Sequence, residues 1–141
     1  MLKNIPPILS PDLMKVLMEM GHGDDIVLAD GNFPAASTAQ RLVRCDGHGV
    51  PELLEAILKF FPLDTYVDRP VAVMQVVPGD PTEPTIWEQY ESILKGSGLP
   101  FVDLDYLERS RFYERARDAY AVVATSEKAL YANIILKKGV L

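Results

Sequence analysis

The sequence predicts a single α/β domain whose sheet is at least partly parallel. Three observations predict it. Apolar runs alternate with amphipathic segments of helical spacing along the chain. The run Ile26-Val27-Leu28-Ala29 is continuous rather than alternating, which marks a strand covered on both faces. The length of 141 residues suits one domain over residues 1–141, and no linker, repeat or low-complexity run divides it.

The elements follow in order. Ser10 is a good N-cap, Pro11 fits the first helical position, and Asp12 suits the positive end of the helix dipole. Leu13, Met14, Leu17 and Met18 then form one apolar face, and Gly21 and Gly23 are expected to end that helix. Asp25 to Asp30 reads as a buried strand, with Gly31-Asn32-Phe33-Pro34 as the loop leaving it. Arg41 to Cys45 reads as a short strand, and Asp46-Gly47-His48-Gly49 as a turn. A second helix starts at Pro51, carries Leu53, Leu54, Ile57, Leu58 and Phe61, and stops at Pro62. Val71 to Val77 is the strongest strand signal, bounded by Pro70 and Pro78. Thr85 and Glu88 have capping-box spacing and open a third helix that ends near Gly96-Ser97-Gly98. Glu108 to Ala119 is amphipathic and dense in charge. Ala121 to Thr125 is a strand, Ser126-Glu127-Lys128 a turn, and Ile134-Ile135-Leu136 belongs to the last strand.

Composition narrows the function. A net charge of −6 argues against nucleic-acid binding, which needs clustered Lys and Arg. The lone Cys45 cannot form an intramolecular disulfide. No signal-peptide pattern opens the chain, and no apolar run approaches the ~20 residues that span a bilayer. The expectation is a soluble cytoplasmic domain with no membrane contact. His22, His48, Asp24 and Cys45 have no metal-ligand spacing, so no metal site is expected.

Four places can carry chemistry. His22 lies between two glycines at a helix–strand junction, where it is either a helix C-terminal residue or an acid–base group. Asp30 ends an apolar strand at its carboxyl end, where open α/β sheets bind ligands, and is equally a turn aspartate. Arg109 and Tyr113 share a helix face, either as part of a solvated surface or as donors to a polyol. Tyr131 and Asn133 point the same way if their segment is extended, as a grip on sugar hydroxyls or as a polar outer face.

These pieces in order resemble the L-fucose mutarotase family. The run from Met20-Gly21-His22-Gly23 to Asp30 and the Asn32-Phe33-Pro34-Ala35 loop carry the resemblance at one end. Phe112 to Ala116, Ala121 to Thr125 and the ending from Tyr131 to Val140 carry it at the other. The related D-ribose pyranases share the His-Gly-Asp motif and a C-terminal Tyr-x-Asn. The resemblance implies a cofactor-free sugar isomerase, with a mixed sheet flanked by helices and a ring-forming, commonly decameric, assembly whose pocket lies near subunit contacts. It makes His22 the catalytic acid. Asp30, Arg109, Tyr113, Tyr131 and Asn133 would bind the monosaccharide, as would Asp64 in Leu63-Asp64-Thr65-Tyr66. The Asn32-Phe33-Pro34 loop is similar to the fucose branch rather than the ribose branch, so the expected reaction interconverts the anomers of L-fucose. Pyranose–furanose interconversion of ribose and a non-catalytic sugar-binding ring are the alternatives. Two departures stand out. Ala132 occupies a place that is usually Gly, and a methyl there would narrow a pocket that bound sugar through that peptide. Ser110-Arg111 after Arg109 leaves Arg111 as a rival for the arginine position.

Overall fold

The structure, a computed structural model, describes residues 1–141. Its elements are α1 (Pro11–Glu19), β1 (Asp25–Ala29), α2 (Ala35–Thr38), β2 (Leu42–Cys45), α3 (Val50–Leu58), β3 (Val71–Met74), α4 (Ile86–Gly96), β4 (Asp105–Leu107), α5 (Arg109–Asp118), β5 (Ala121–Thr125) and β6 (Ile134–Lys137). The six strands form one sheet in the order β2-β5-β1-β6-β3-β4. β1, β5 and β2 are mutually parallel, as are β3 and β4, while β6 runs antiparallel to both β1 and β3. β6 is therefore the seam between two parallel halves.

Both faces of the sheet are covered, which explains the unbroken apolar runs. Ile26 and Leu28 point into the larger core with Leu13, Leu53, Ile57, Tyr90 and Leu94 of α1, α3 and α4. Val27 and Ala29 point into the smaller core with Ala35 of α2 and Phe112 and Ala116 of α5. Alternate residues of β1 thus serve opposite helix layers, as the two-residue period of a strand requires.

The helix starts show how far local signals reach. Ser10 caps α1 as expected, its Oγ accepting from the Leu13 N–H at 3.2 Å. The helix stops at Glu19, because Met20 is already extended. Thr85, in contrast, makes no side-chain cap: its backbone is helical (φ −64°, ψ −22°), and a capping side chain needs the extended region. At α3 the caps come from elsewhere. Glu52 reaches back to the Gly49 N–H at 2.9 Å, and the distant Glu127 accepts from the Val50 N–H at 3.1 Å.

Several features differ from the sequence pattern. α3 ends at Leu58 rather than at Pro62, because Lys59 and Phe60 donate their N–H groups three residues back, to the Ala56 and Ile57 carbonyls, in tighter turns. β3 ends at Met74 rather than Val77: the Gln75 N–H still reaches the Leu107 carbonyl of β4, but the Val77 N–H turns out of the sheet to the Tyr131 hydroxyl. The short β4 and α2 carry too few residues for a periodic signal. Tyr131 to Asn133 is not extended: Tyr131 has φ +57°, and β6 begins only at Ile134.

Candidate active site

The carboxyl ends of β1, β3 and β4 and the start of β6 meet at one sheet edge. This is the position at which α/β sheets offer a crevice beside a change of strand direction. A cavity of about 360 Å³ opens there, lined by Asp30, Phe33, Met74, Val77, Asp80, Arg109, Tyr113, Tyr131 and Asn133 among others. Its size falls at the small end of ligand pockets. Five of the seven residues singled out from the sequence line it.

Each is fixed by a different element. Asp30 follows β1 and is only 8% exposed. Its Oδ1 accepts from the N–H groups of Asn32 and Phe33, both at 3.0 Å. Burial pushes its carboxyl above the ordinary aspartate value, against the pull of those amides. Asn133 precedes β6, and its Oδ1 accepts from the Asp30 N–H at 2.7 Å. That contact leaves the two Nδ2 protons of Asn133 for a ligand. Arg109 starts α5 with its guanidinium 4.9 Å from the centre of the Tyr113 ring, so the four-residue spacing does bring the pair together. Arg111 instead pairs with Glu114 on the exposed side of α5, so Arg109 is the arginine of the pocket. Tyr113 stacks on Phe33 with centroids 5.2 Å apart. The pocket therefore offers acceptors, donors and aromatic faces, a set that suits a neutral polyol.

His22 and Asp64 lie elsewhere. His22 precedes β1, whereas Asp30 follows it, and the strand between them spans roughly 16 Å at about 3.3 Å per residue. His22 Nε2 sits 3.1 Å from Asp64 Oδ1, and that oxygen also accepts from the Tyr66 N–H at 3.0 Å. The His22 side chain is 44% exposed while that of Asp64 is 4% exposed. Burial raises the Asp64 carboxyl, but the Tyr66 amide and His22 outweigh it and hold it below the ordinary value. A carboxylate accepts only, so it selects the tautomer with the proton on Nε2 and leaves Nδ1 of His22 uncommitted.

The chain end builds this second group. The Asp64 N–H donates to the Lys137 carbonyl at 3.0 Å, and the Gly23 N–H to the Lys138 carbonyl at 2.8 Å. Leu63 and Lys138 form an antiparallel bridge. A Cβ on Gly139 would stand 2.5 Å from the Leu63 carbonyl oxygen, so the tail seats there only as glycine. β6 thus has the pocket residue Asn133 just before it and the support of the His22–Asp64 pair just after it.

The comparisons decide the family. The model described as "RbsD / FucU transport protein family" matches residues 3–141. The chain belongs to this family. The fucose mutarotase of Homo sapiens is 55% identical over 99% of this chain and 94% of its own length. The L-fucose mutarotase of Actinobacillus pleuropneumoniae serotype 5b (strain L20) is 51% identical over 99% and 97%. The crystal structure of the fucose mutarotase of Streptococcus pneumoniae, in complex with L-fucose, superposes with a TM-score of 0.95 at 57% identity, over 99% of both chains. RbsD of Bacillus subtilis, complexed with D-ribose, shares the fold at a TM-score of 0.76 and 23% identity, over 100% of this chain and 99% of its own. The expected α/β fold with a mixed sheet flanked by helices is therefore that of the RbsD / FucU family.

Two points correct the sequence reading of this RbsD / FucU chain. Ala132 is 0% exposed and its methyl packs in the larger core, away from the pocket, so it does not narrow the cavity. Its carbonyl is held by the Tyr90 hydroxyl at 2.6 Å. The second point is Asp80, a pocket residue that the sequence reading passed over. It follows a strong apolar strand through Pro78-Gly79, the same placement that singled out Asp30 after β1. No helix of the structure is long and apolar enough to cross a membrane.

Proposed function

We propose that this chain is an aldose isomerase that interconverts the α and β anomers of L-fucose, with His22 as the proton donor. The observation that carries the reading is the pocket of Asp30, Arg109, Tyr113, Tyr131 and Asn133, in a chain 57% identical to a fucose mutarotase crystallised with L-fucose. Mutarotation breaks the bond between the anomeric carbon and the ring oxygen and remakes it on the other face. One proton must reach the ring oxygen and one must leave the anomeric hydroxyl. With the Nε2 proton held by Asp64, His22 in its protonated form delivers the first from Nδ1, and the neutral imidazole so formed takes up the second at the same nitrogen, which restores the starting state. Asp30 accepts a sugar hydroxyl, while Asn133 and Arg109 donate to sugar oxygens. Phe33, Met74, Val77 and Leu130 supply an apolar wall, which suits the methyl group of a 6-deoxy sugar better than ribose. No cofactor or metal enters these steps.

The separation of His22 from the pocket supports a further part of the reading. Proton transfer needs heavy atoms within about 3 Å, and β1 alone holds Asp30 and His22 some five times farther apart. A complete site therefore joins the pocket of one copy to the His22–Asp64 pair of a neighbouring copy. Repeating one such head-to-tail contact closes a ring, in keeping with the decamer implied by the resemblance. Monosaccharide and second copies of the chain are then the only partners the activity requires. A cytoplasmic location goes with the single free, buried Cys45.

The test is saturation-transfer NMR of anomer exchange, run on L-fucose and on D-ribose with the wild type and with His22→Ala. Faster L-fucose exchange that is lost in His22→Ala supports the reading. Acceleration confined to D-ribose indicates a pyranase. Saturable L-fucose binding without acceleration indicates a sugar-binding ring.

A further inference from the structure

Asp80 plays no part in the reaction just described, yet it faces the pocket and is tied to its least ordinary residue. Tyr131 is one of two non-glycine residues with positive φ, at +57°. A side-chain-bearing residue keeps that left-handed conformation only where its surroundings over-determine it, and such residues cluster at functional sites. Here three groups hold it. The Trp87 indole N–H donates to the Tyr131 carbonyl at 2.8 Å. The Tyr131 hydroxyl donates to Asp80 Oδ2 at 2.6 Å, and the Val77 N–H donates to the same phenol oxygen at 3.3 Å.

Asp80 is itself anchored. Its Oδ1 accepts from the Thr82 N–H at 2.9 Å and from the Thr82 hydroxyl at 2.6 Å, and its own N–H donates to the Val77 carbonyl at 3.1 Å. Those partners, Thr82 before Tyr131, hold the Asp80 carboxyl below the ordinary aspartate value, so it is ionised and can only accept. The single proton of the Tyr131 hydroxyl is then committed to Asp80, and one of its oxygen lone pairs to Val77.

We infer that Asp80 is a positioning residue of the sugar pocket: it takes the Tyr131 phenol proton, so the phenol meets a substrate hydroxyl as an acceptor only. The inference rests on the reading of this pocket as the sugar site. Asp80 acts through Tyr131, and its loss frees the phenol to turn and to present its proton instead. Asn133 and Arg109 then remain the donors of the pocket, and Tyr131 joins Asp30 among its acceptors.

The experiment is a double-mutant cycle on the full chain. Wild type, Asp80→Asn, Tyr131→Phe and the double variant are compared by L-fucose exchange kinetics, giving KM and kcat separately. Each single change raises KM about tenfold, the scale of one charge-assisted hydrogen bond, and moves kcat less. The double variant stays within about twofold of Tyr131→Phe, because the two residues act as one unit. A second readout needs no sugar: NMR of tyrosine labelled at Cζ follows ionisation of the Tyr131 phenol. The bond to Asp80, ahead of burial, raises that phenol, with Arg109 as the opposing charge. Ionisation at lower pH in Asp80→Asn supports the proposal. Multiplying effects in the double variant, an unchanged KM in Asp80→Asn, or an unmoved phenol titration overturns it. A wild type that neither binds nor turns over L-fucose overturns the sugar reading and this proposal with it, and the phenol titration then still reports whether the contact exists.

Discussion

Mixing two inactive variants is expected to restore activity. The first is His22→Ala and the second Arg109→Ala. Both side chains are substantially exposed, so both variants should stay folded, with His22→Ala the costlier because it takes a partner from the buried Asp64 carboxylate. Within one chain the two groups cannot meet. The five residues of β1 separate His22 from Asp30, at the pocket that Arg109 lines, by roughly 16 Å, and a near-attack geometry needs about 3–3.5 Å. Neither end can travel, since Asp30 and Asp64 are buried and hydrogen-bonded to the strands beside them. A site shared between copies behaves differently. In an equal mixture that assembles at random, about half the sites receive an intact His22 and about half of those an intact Arg109, so about one quarter are complete. Losing a positioned acid costs about 10²–10⁴-fold, so His22→Ala alone retains at most about one hundredth of the exchange rate. The mixture should then rise to about a quarter of wild type. Saturation-transfer NMR on L-fucose measures the rate, and native mass spectrometry confirms that the two variants share assemblies. Mixed assemblies that exchange L-fucose no faster than the average of the parents would refute the shared site.

Three more outcomes are expected. Asp30→Asn should raise the melting temperature at neutral pH while abolishing exchange. Burial raises the Asp30 carboxyl in the folded state, so its ionised form destabilises the fold once pH climbs above the ordinary aspartate range; the gain should vanish at pH values below that range, which melts taken across pH will check. Gly139→Ala should cost about 1–3 kcal/mol and slow exchange without weakening L-fucose binding to the pocket, because its methyl would strike the Leu63 and Asp64 backbone that supports His22; denaturant melts and binding isotherms separate the two effects. Ala132→Gly should leave KM within about twofold of wild type but lower stability by about 1 kcal/mol, from backbone freedom and a lost core methyl. A KM that falls markedly would mean that the methyl does reach the sugar.

Much of this was legible along the chain because the signals are local or periodic. The unbroken apolar run of β1 announces a strand buried on both faces, and the two cores do cover it. The spacing of Arg109 and Tyr113 survives into a shared helix face. Other features have no local signal. The cap of α3 by Glu127 joins residues 77 positions apart, and the shift of Tyr131 into a left-handed turn depends on Asp80 and Trp87 from other segments.

The sequence by itself determined the class of fold, the place of most strands and helices, and the residue types that can handle a neutral sugar at a net charge of −6. Tertiary structure alone decided how those residues divide. Strand direction is not written in any one segment, and β6 running against β1 sets Asn133 beside Asp30 and the 137–139 tail beside His22. A strand is stiff and nearly fully extended, so residues only eight apart in sequence, His22 and Asp30, end on opposite edges of the sheet.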